Sequence, residues 1–294
     1  LPLATTNDQN TDAMRLLIRP LFSFATVAIL GLSACTSDGE TKGSANEPVA
    51  EESATMVEAP MTRHGLTLTK LTGSPAFADA TLNTLNPTAD AALKPGNVSF
   101  EYAVSNYELG SLTPGAGENG LANSGKGQHI HAILNNEPYM AHYAPGFSKE
   151  LTAGRYILLS FLSRSYHESI KHAEAADLIQ FTVGKTDAPV ADLAAPHLFY
   201  SRPKGTYTGA DAQQLMLDFY LANCDLSANG YTVLATINGT EFTLREWAPY
   251  VIDGLPMGKV TIKLELLDNA GNLVPSPFNP VERTVRLQAE VPAE

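Results

Sequence analysis

The segments "YAPGFSKELTAGRYILLSFL" (143–162) and "WAPYVIDGLPMGKVTIKLEL" (247–266) align without a gap at an offset of 104 residues. Each begins with an aromatic-Ala-Pro loop, passes a Leu-x-x-Gly turn and ends in a long run of strand-forming residues. Upstream, "HAILNN" (131–136) parallels "LATING" (234–239) at an offset of 103, a one-residue length change near a hairpin. Two copies of one unit in one order predict a duplicated fold.

The rest of the chain has the same character. "VSFEYAVS" (98–105), "HIHAIL" (129–134), "LIQFTV" (178–183), "QLMLDFYLA" (214–222), "YTVLATI" (231–237), "KVTIKLELL" (259–267) and "RTVRLQ" (283–288) are short and rich in β-branched and aromatic residues. Asn-Asn, Asn-Gly and Ala-Gly turns bound them, and no sustained 3.6-residue period competes. That spacing predicts an all-β protein of two sandwiches. The Pro/Ala-rich "DAPVADLAAP" (187–196) separates a first domain, 63–185, from a second, 196–294. The pattern G-x-x-x-I-x-L-x-L-L-D-x-x-G at 258–271 resembles the immunoglobulin/fibronectin-III-like modules of bacterial envelope proteins, and the first half resembles them through the repeat. The resemblance implies tandem Ig-like domains, a scaffold that hosts many functions.

The 294 residues carry a formal net charge of −12. Met14 opens "MRLLIRPLFSFATVAILGLSAC", with basic Arg15 and Arg19, an apolar run from Leu21 to Leu32 and small residues before a cysteine. This is secretory signal anatomy, and its apolar run is short for a membrane span. It makes Met14 the expected start and residues 1–13 an N-terminal extension. "LSAC" (Leu32–Cys35) resembles the bacterial lipobox. That resemblance implies cleavage after residue 34, acylation of Cys35 and anchoring of the protein to the cell envelope through lipid. Thr36 stands where an aspartate would resemble an inner-membrane retention signal, so the outer membrane is expected. Two or three acyl chains anchor stably where one is marginal. Residues 35–62, rich in Glu, Ser, Ala and Pro, lack the large apolar groups needed to fold and read as an acidic tether. At this length the tether spans about 30 Å root-mean-square. The mature chain keeps −12, which argues against nucleic acid as a partner and leaves a protein or small ligand. With Cys35 acylated, Cys224 has no disulfide partner.

Chemistry concentrates in two places. In "KGQHIHAILNNEPYMAHY" (126–143), Ile130, Ala132 and Leu134 match Val233, Ala235 and Ile237 of the repeat and read as the core face. His129 and His131 then share the opposite face, about 7 Å apart along the strand. A two- or four-residue loop at Asn135-Asn136 adds Met140 and His142 to that face, with cross-strand neighbours about 5 Å apart. A three-residue loop flips the return strand and breaks the cluster. Imidazoles suit copper or zinc, and the thioether tilts the choice toward copper. A polar face of an ordinary sheet accounts for the same residues.

The second place is "LSRSYHESIKH" (162–172), where Arg164, Tyr166 and His167 form a candidate ligand-binding loop. "GRYILLSFLSRSYH" (154–167) resembles the Gly-Arg … Ser-Arg-x-x-His signature of forkhead-associated domains, which implies binding of a phosphopeptide or another anion. The spacing from Arg155 to Ser163 is shorter than that signature has, and no Asn-Gly element follows in this half. The segments "GQHIH" and "LSRSYHES" also resemble envelope lipoproteins, some of them described as phosphopeptide-binding. A catalytic role has little support. The chain contains no HExxH, GxSxG or CxxC motif, and Ser163, His167 and Glu168 lie too close in sequence for the usual triad geometry.

Overall fold

A computed structural model describes residues 59–290, whose regular secondary structure is almost entirely β-strand. The expected signal peptide, Cys35 and nearly all of the tether lie outside the described residues. Among the described residues no helix is long and apolar enough to cross a membrane.

The described chain opens with a hairpin, β1 (Met61–Arg63) and β2 (Leu66–Lys70). The first sandwich follows: β3 (Thr81–Asn86), β4 (Ala92–Leu93), β5 (Gly96–Ser105), β6 (His129–Leu134), β7 (Met140–His142), β8 (Gly146–Leu151), β9 (Gly154–Ser163) and β10 (Ala176–Val183). The second comprises β11 (His197–Arg202), β12 (Thr206–Thr208), β13 (Leu215–Ala222), β14 (Thr232–Ile237), β15 (Thr240–Leu244), β16 (Tyr250–Asp253), β17 (Gly258–Leu267) and β18 (Val281–Gln288).

The sheet orders carry the duplication. In the first half β3-β5-β8 faces β4-β10-β9-β6-β7; in the second β11-β13-β16 faces β12-β18-β17-β14-β15. Each short β4 or β12 pairs in parallel with the last strand of its half, and all other pairs are antiparallel. Three strands against four plus a short fifth is an immunoglobulin-like arrangement. The two long strands β9 and β17 keep the 104-residue offset throughout.

The hairpin departs from the expected domain limits. β2 pairs with β16 through Lys70–Tyr250, Thr69–Val251, Leu68–Ile252 and Thr67–Asp253. Leu66 and Leu68 enter the second core beside Tyr250 and Ile252. Residues 61–70 thus belong to the second sandwich, not to a first domain beginning at 63. The physical cause is the alternation of Leu66 and Leu68, which lets β2 cover the otherwise open edge of β16 and continue its core face. Gly254 admits this approach. It sits at φ +83°, and a Cβ there would meet the Gly65 carbonyl oxygen at 2.2 Å.

The sandwiches pack back to back. Ile130, Ala132, Leu134, Leu158 and Leu162 fill the first core, while Ile133, Ile157, Leu159 and Phe161 point outward and meet Phe199 and Tyr220 of the second half. Phe161 stacks on Tyr220 with centroids 5.1 Å apart. In consequence β6 and β11 are buried at every position, whereas β14, the repeat partner of β6, is buried only at alternate ones. The face of His129 and His131, which would be solvated in an isolated domain, becomes an interior surface.

Candidate functional site

Gly127, at φ +86°, begins the site. A Cβ there would lie 2.3 Å from the Gly110 carbonyl oxygen, so only glycine fits. Its carbonyl accepts a hydrogen bond from His129 Nδ1 at 2.8 Å. Because a carbonyl cannot donate, Nδ1 carries the proton and Nε2 presents a bare lone pair. That lone pair faces His131 Nε2 at 2.9 Å and His167 Nδ1 at 3.0 Å. His131 Nε2 and His167 Nδ1 are 3.5 Å apart, closing a triangle.

His167 comes from the turn after β9. Its amide donates to the Arg164 carbonyl (2.8 Å), and its φ of 71° turns the side chain back over the β6 face. Tyr139 stacks on His131 with centroids 3.6 Å apart, and its hydroxyl lies 3.3 Å from His167 Nδ1. Ser201 Oγ approaches His131 Nδ1 at 3.4 Å from the second sandwich. His129 and His131 are fully buried, and His167 is half-buried.

Burial keeps all three rings neutral. It pushes His129 down to about 4, with the Gly127 hydrogen bond opposing and the Arg202 and Lys204 charges adding to the effect. Burial likewise holds His131 well below the usual histidine range, with His129 and His167 next in weight. His167 is also lowered, first by burial and then by Arg202. Neutral imidazole is the form that ligates metal. A point about 0.9 Å out of the plane of the three nitrogens lies about 2.05 Å from each of them, within the zinc–imidazole range. The hydrogen bond from His129 Nδ1 to a backbone carbonyl is the kind of outer contact that fixes a ligand's tautomer.

Only part of the expected cluster converges. Asn135 and Asn136 both have positive φ, and Glu137 N donates to the Leu134 carbonyl, so the two-residue turn does form. The ladder nevertheless pairs Ile130 with His142, His131 with Ala141 and Ala132 with Met140, one residue out of step with that turn. Pro138 has no N–H to donate, and pairing resumes only at Met140. The slip sends Met140 and His142 to the other face. There Met140 packs against the first core and His142 stacks on Phe147. His167, expected in the second cluster, takes the vacated place.

The 163–171 loop does not offer a phosphate site. Arg164 is buried; it donates to the Pro75 and Ser169 carbonyls and pairs with Glu168 at 3.2 Å. Tyr166 packs with Leu121 and Met216. Lys171 is paired with the fully buried Asp218. The arginine therefore holds the loop against its own protein. Ser163 Oγ donates to the Arg164 and Glu168 carbonyls, which removes it from any triad with His167. Tyr139, Ser201, Arg202 and Lys204 were not singled out by sequence, since nothing local in them marks a site.

No protein-family model matches the chain, and no curated protein matches it in sequence. Among solved structures it is similar to the fibronectin(III)-like modules of Clostridium thermocellum CbhA (14% identity, TM-score 0.25, 71% of this chain and 95% of that one). It is also similar to the central fibronectin-III array of RIM-binding protein (13%, TM-score 0.24, 71% and 72%). A third is SGBP-B of the Bacteroides ovatus mixed-linkage glucan utilization locus, in complex with a mixed-linkage heptasaccharide (10%, TM-score 0.22, 71% of each). At such TM-scores these likenesses carry no weight, and the Ig-like assignment rests on the strand orders above.

Proposed function

We propose that this protein is a lipid-anchored, non-enzymatic envelope module that binds one copper or zinc ion through His129, His131 and His167. The observation that carries the reading is the convergence of three neutral imidazole nitrogens within 3.5 Å of one another on a buried face. The anchor is Cys35 in "LSAC", with the outer membrane as its location and the acidic 35–62 segment as its spacer. Its other partner is a protein or small ligand; an acidic chain disfavours nucleic acid.

Titration calorimetry of the mature, tag-free protein tests the metal. One equivalent of copper or zinc should bind, and His129→Ala, His131→Ala and His167→Ala should each abolish or sharply weaken binding. His142→Ala and Met140→Leu should leave it unchanged. Failure of both metals to bind more tightly than millimolar refutes the site. In the native cell, fatty-acid labelling that survives Cys35→Ala refutes the anchor.

A further inference from the structure

We infer that the three-histidine site is selective for a monovalent ion, Cu(I), over Zn²⁺; this rests on the metal-binding reading above and narrows it to one ion. The first reason is charge. Among the described residues the ligand group consists of three histidines with no carboxylate or thiolate, so an entering ion meets no compensating negative donor. Two basic side chains stand beside it instead. Lys204 Nζ lies 3.6 Å over the Tyr139 ring, which itself stacks on His131, and donates to the Tyr139 carbonyl at 2.6 Å. Arg202 follows Ser201, whose hydroxyl touches His131, and its guanidinium donates to the Tyr207 hydroxyl at 2.8 and 3.1 Å. Neither cation forms an ion pair among the described residues, and the nearby Asp218 is taken by Lys171. Repulsion scales with the charge of the ion, so a divalent ion suffers twice what a monovalent one does.

The second reason is coordination number. Structural zinc sites are almost always four-coordinate through protein ligands, and three-ligand zinc sites, three-histidine ones included, complete the shell with a water or substrate that needs an open fourth position. Here two of the three rings are fully buried, and the neighbouring oxygen is the Tyr139 hydroxyl, which contacts His167. Three imidazoles on one side of an ion satisfy Cu(I), which is content with three ligands, better than Zn²⁺.

The test is a pair of competition titrations on the mature chain, Cu(I) against a chromogenic Cu(I) chelator under anaerobic ascorbate, and Zn²⁺ against a zinc indicator. Wild type should bind one Cu(I) at least about tenfold more tightly than Zn²⁺, since each of the two cations separates the ions by about threefold. Lys204→Met should raise zinc affinity about tenfold and Cu(I) affinity only about threefold, the square root expected for half the charge. Lys204→Gln, which retains a donor for the Tyr139 carbonyl, should repeat the pattern if the methionine variant folds poorly. Zinc binding equal to or tighter than Cu(I), and lost in His167→Ala, overturns the selectivity while leaving the three-histidine site standing. Equal gains for both ions in the Lys204 variants also overturn it. Absence of binding by either ion overturns both readings.

Discussion

Replacing Leu66 and Leu68 together by alanine should unfold the second sandwich at lower denaturant, although both residues precede the first. The two side chains are 6% and 1% exposed and pack in the second core, and four residue pairs join β2 to β16. A buried Leu→Ala change costs about 2–5 kcal/mol. Two on one short hairpin should cost at least about 4 kcal/mol, a large share of the roughly 5–15 kcal/mol that holds a domain together. With a urea slope of about 2 kcal/mol/M, the midpoint should fall by about 2 M. Trp247, the sole tryptophan, packs against the second core and reports its unfolding by fluorescence. If residues 61–70 did not pack into the second core, the double substitution would leave the Trp247 transition where it is. An unmoved midpoint would therefore refute the hairpin's assignment to the second sandwich.

Asp218→Asn should destabilise the protein by about 3–5 kcal/mol, since it leaves Lys171 largely buried without its charge partner; urea unfolding measures this, and a loss below about 1 kcal/mol would contradict it. Metal-free protein should lose stability as pH falls from about 6.5 to about 4. Over that window the unfolded chain binds protons that buried His129 refuses, and at 1.36 kcal/mol per pKa unit this ring alone accounts for about 3 kcal/mol. His129→Gln should flatten that part of the profile, and an unchanged slope in urea titrations would count against a buried neutral ring. A fragment spanning 196–290 should not melt cooperatively by itself, because it lacks β2 and bares Phe199, Met216 and Tyr220; a sharp reversible transition would show that the seam and hairpin are dispensable.

Strand positions and the duplication were legible because both depend on local pattern. β6 occupies 129–134 as its alternation predicts, and β9 and β17 reproduce the ungapped repeat. What alternation cannot say is whether the second face of a strand meets water. One signal was present: "YILLSFL" in β9 is apolar on both faces, while its repeat partner "VTIKLEL" alternates strictly. A strand apolar on both faces is one covered on both sides. The histidine register failed for a different reason. The Asn-Asn turn formed as its residues dictate, but Pro138 displaced the return strand by one, and a slip of one exchanges faces. His167 was named for the wrong cluster, since its approach to β6 depends on a single left-handed turn residue.

The site is a product of asymmetry between two copies of one fold. Where β14 carries Thr232, Leu234 and Thr236 on a partly exposed face, β6 carries His129, His131 and Ile133 on a face roofed by β11 and β13. Polar groups in such a seam must find partners, and here they do: Arg164 with Glu168, Lys171 with Asp218, Asn136 with the backbone of β11. The three imidazoles satisfy one another only in part, because His129 Nε2 is a bare acceptor aimed at two other ring nitrogens. Docking of the second sandwich desolvates them and brings Ser201, Arg202 and Lys204 alongside. Metal affinity and sandwich docking are then linked quantities. An ion that binds only the docked form stabilises it by RT ln(1 + [L]/Kd), about 2.7 kcal/mol at a hundredfold excess over Kd.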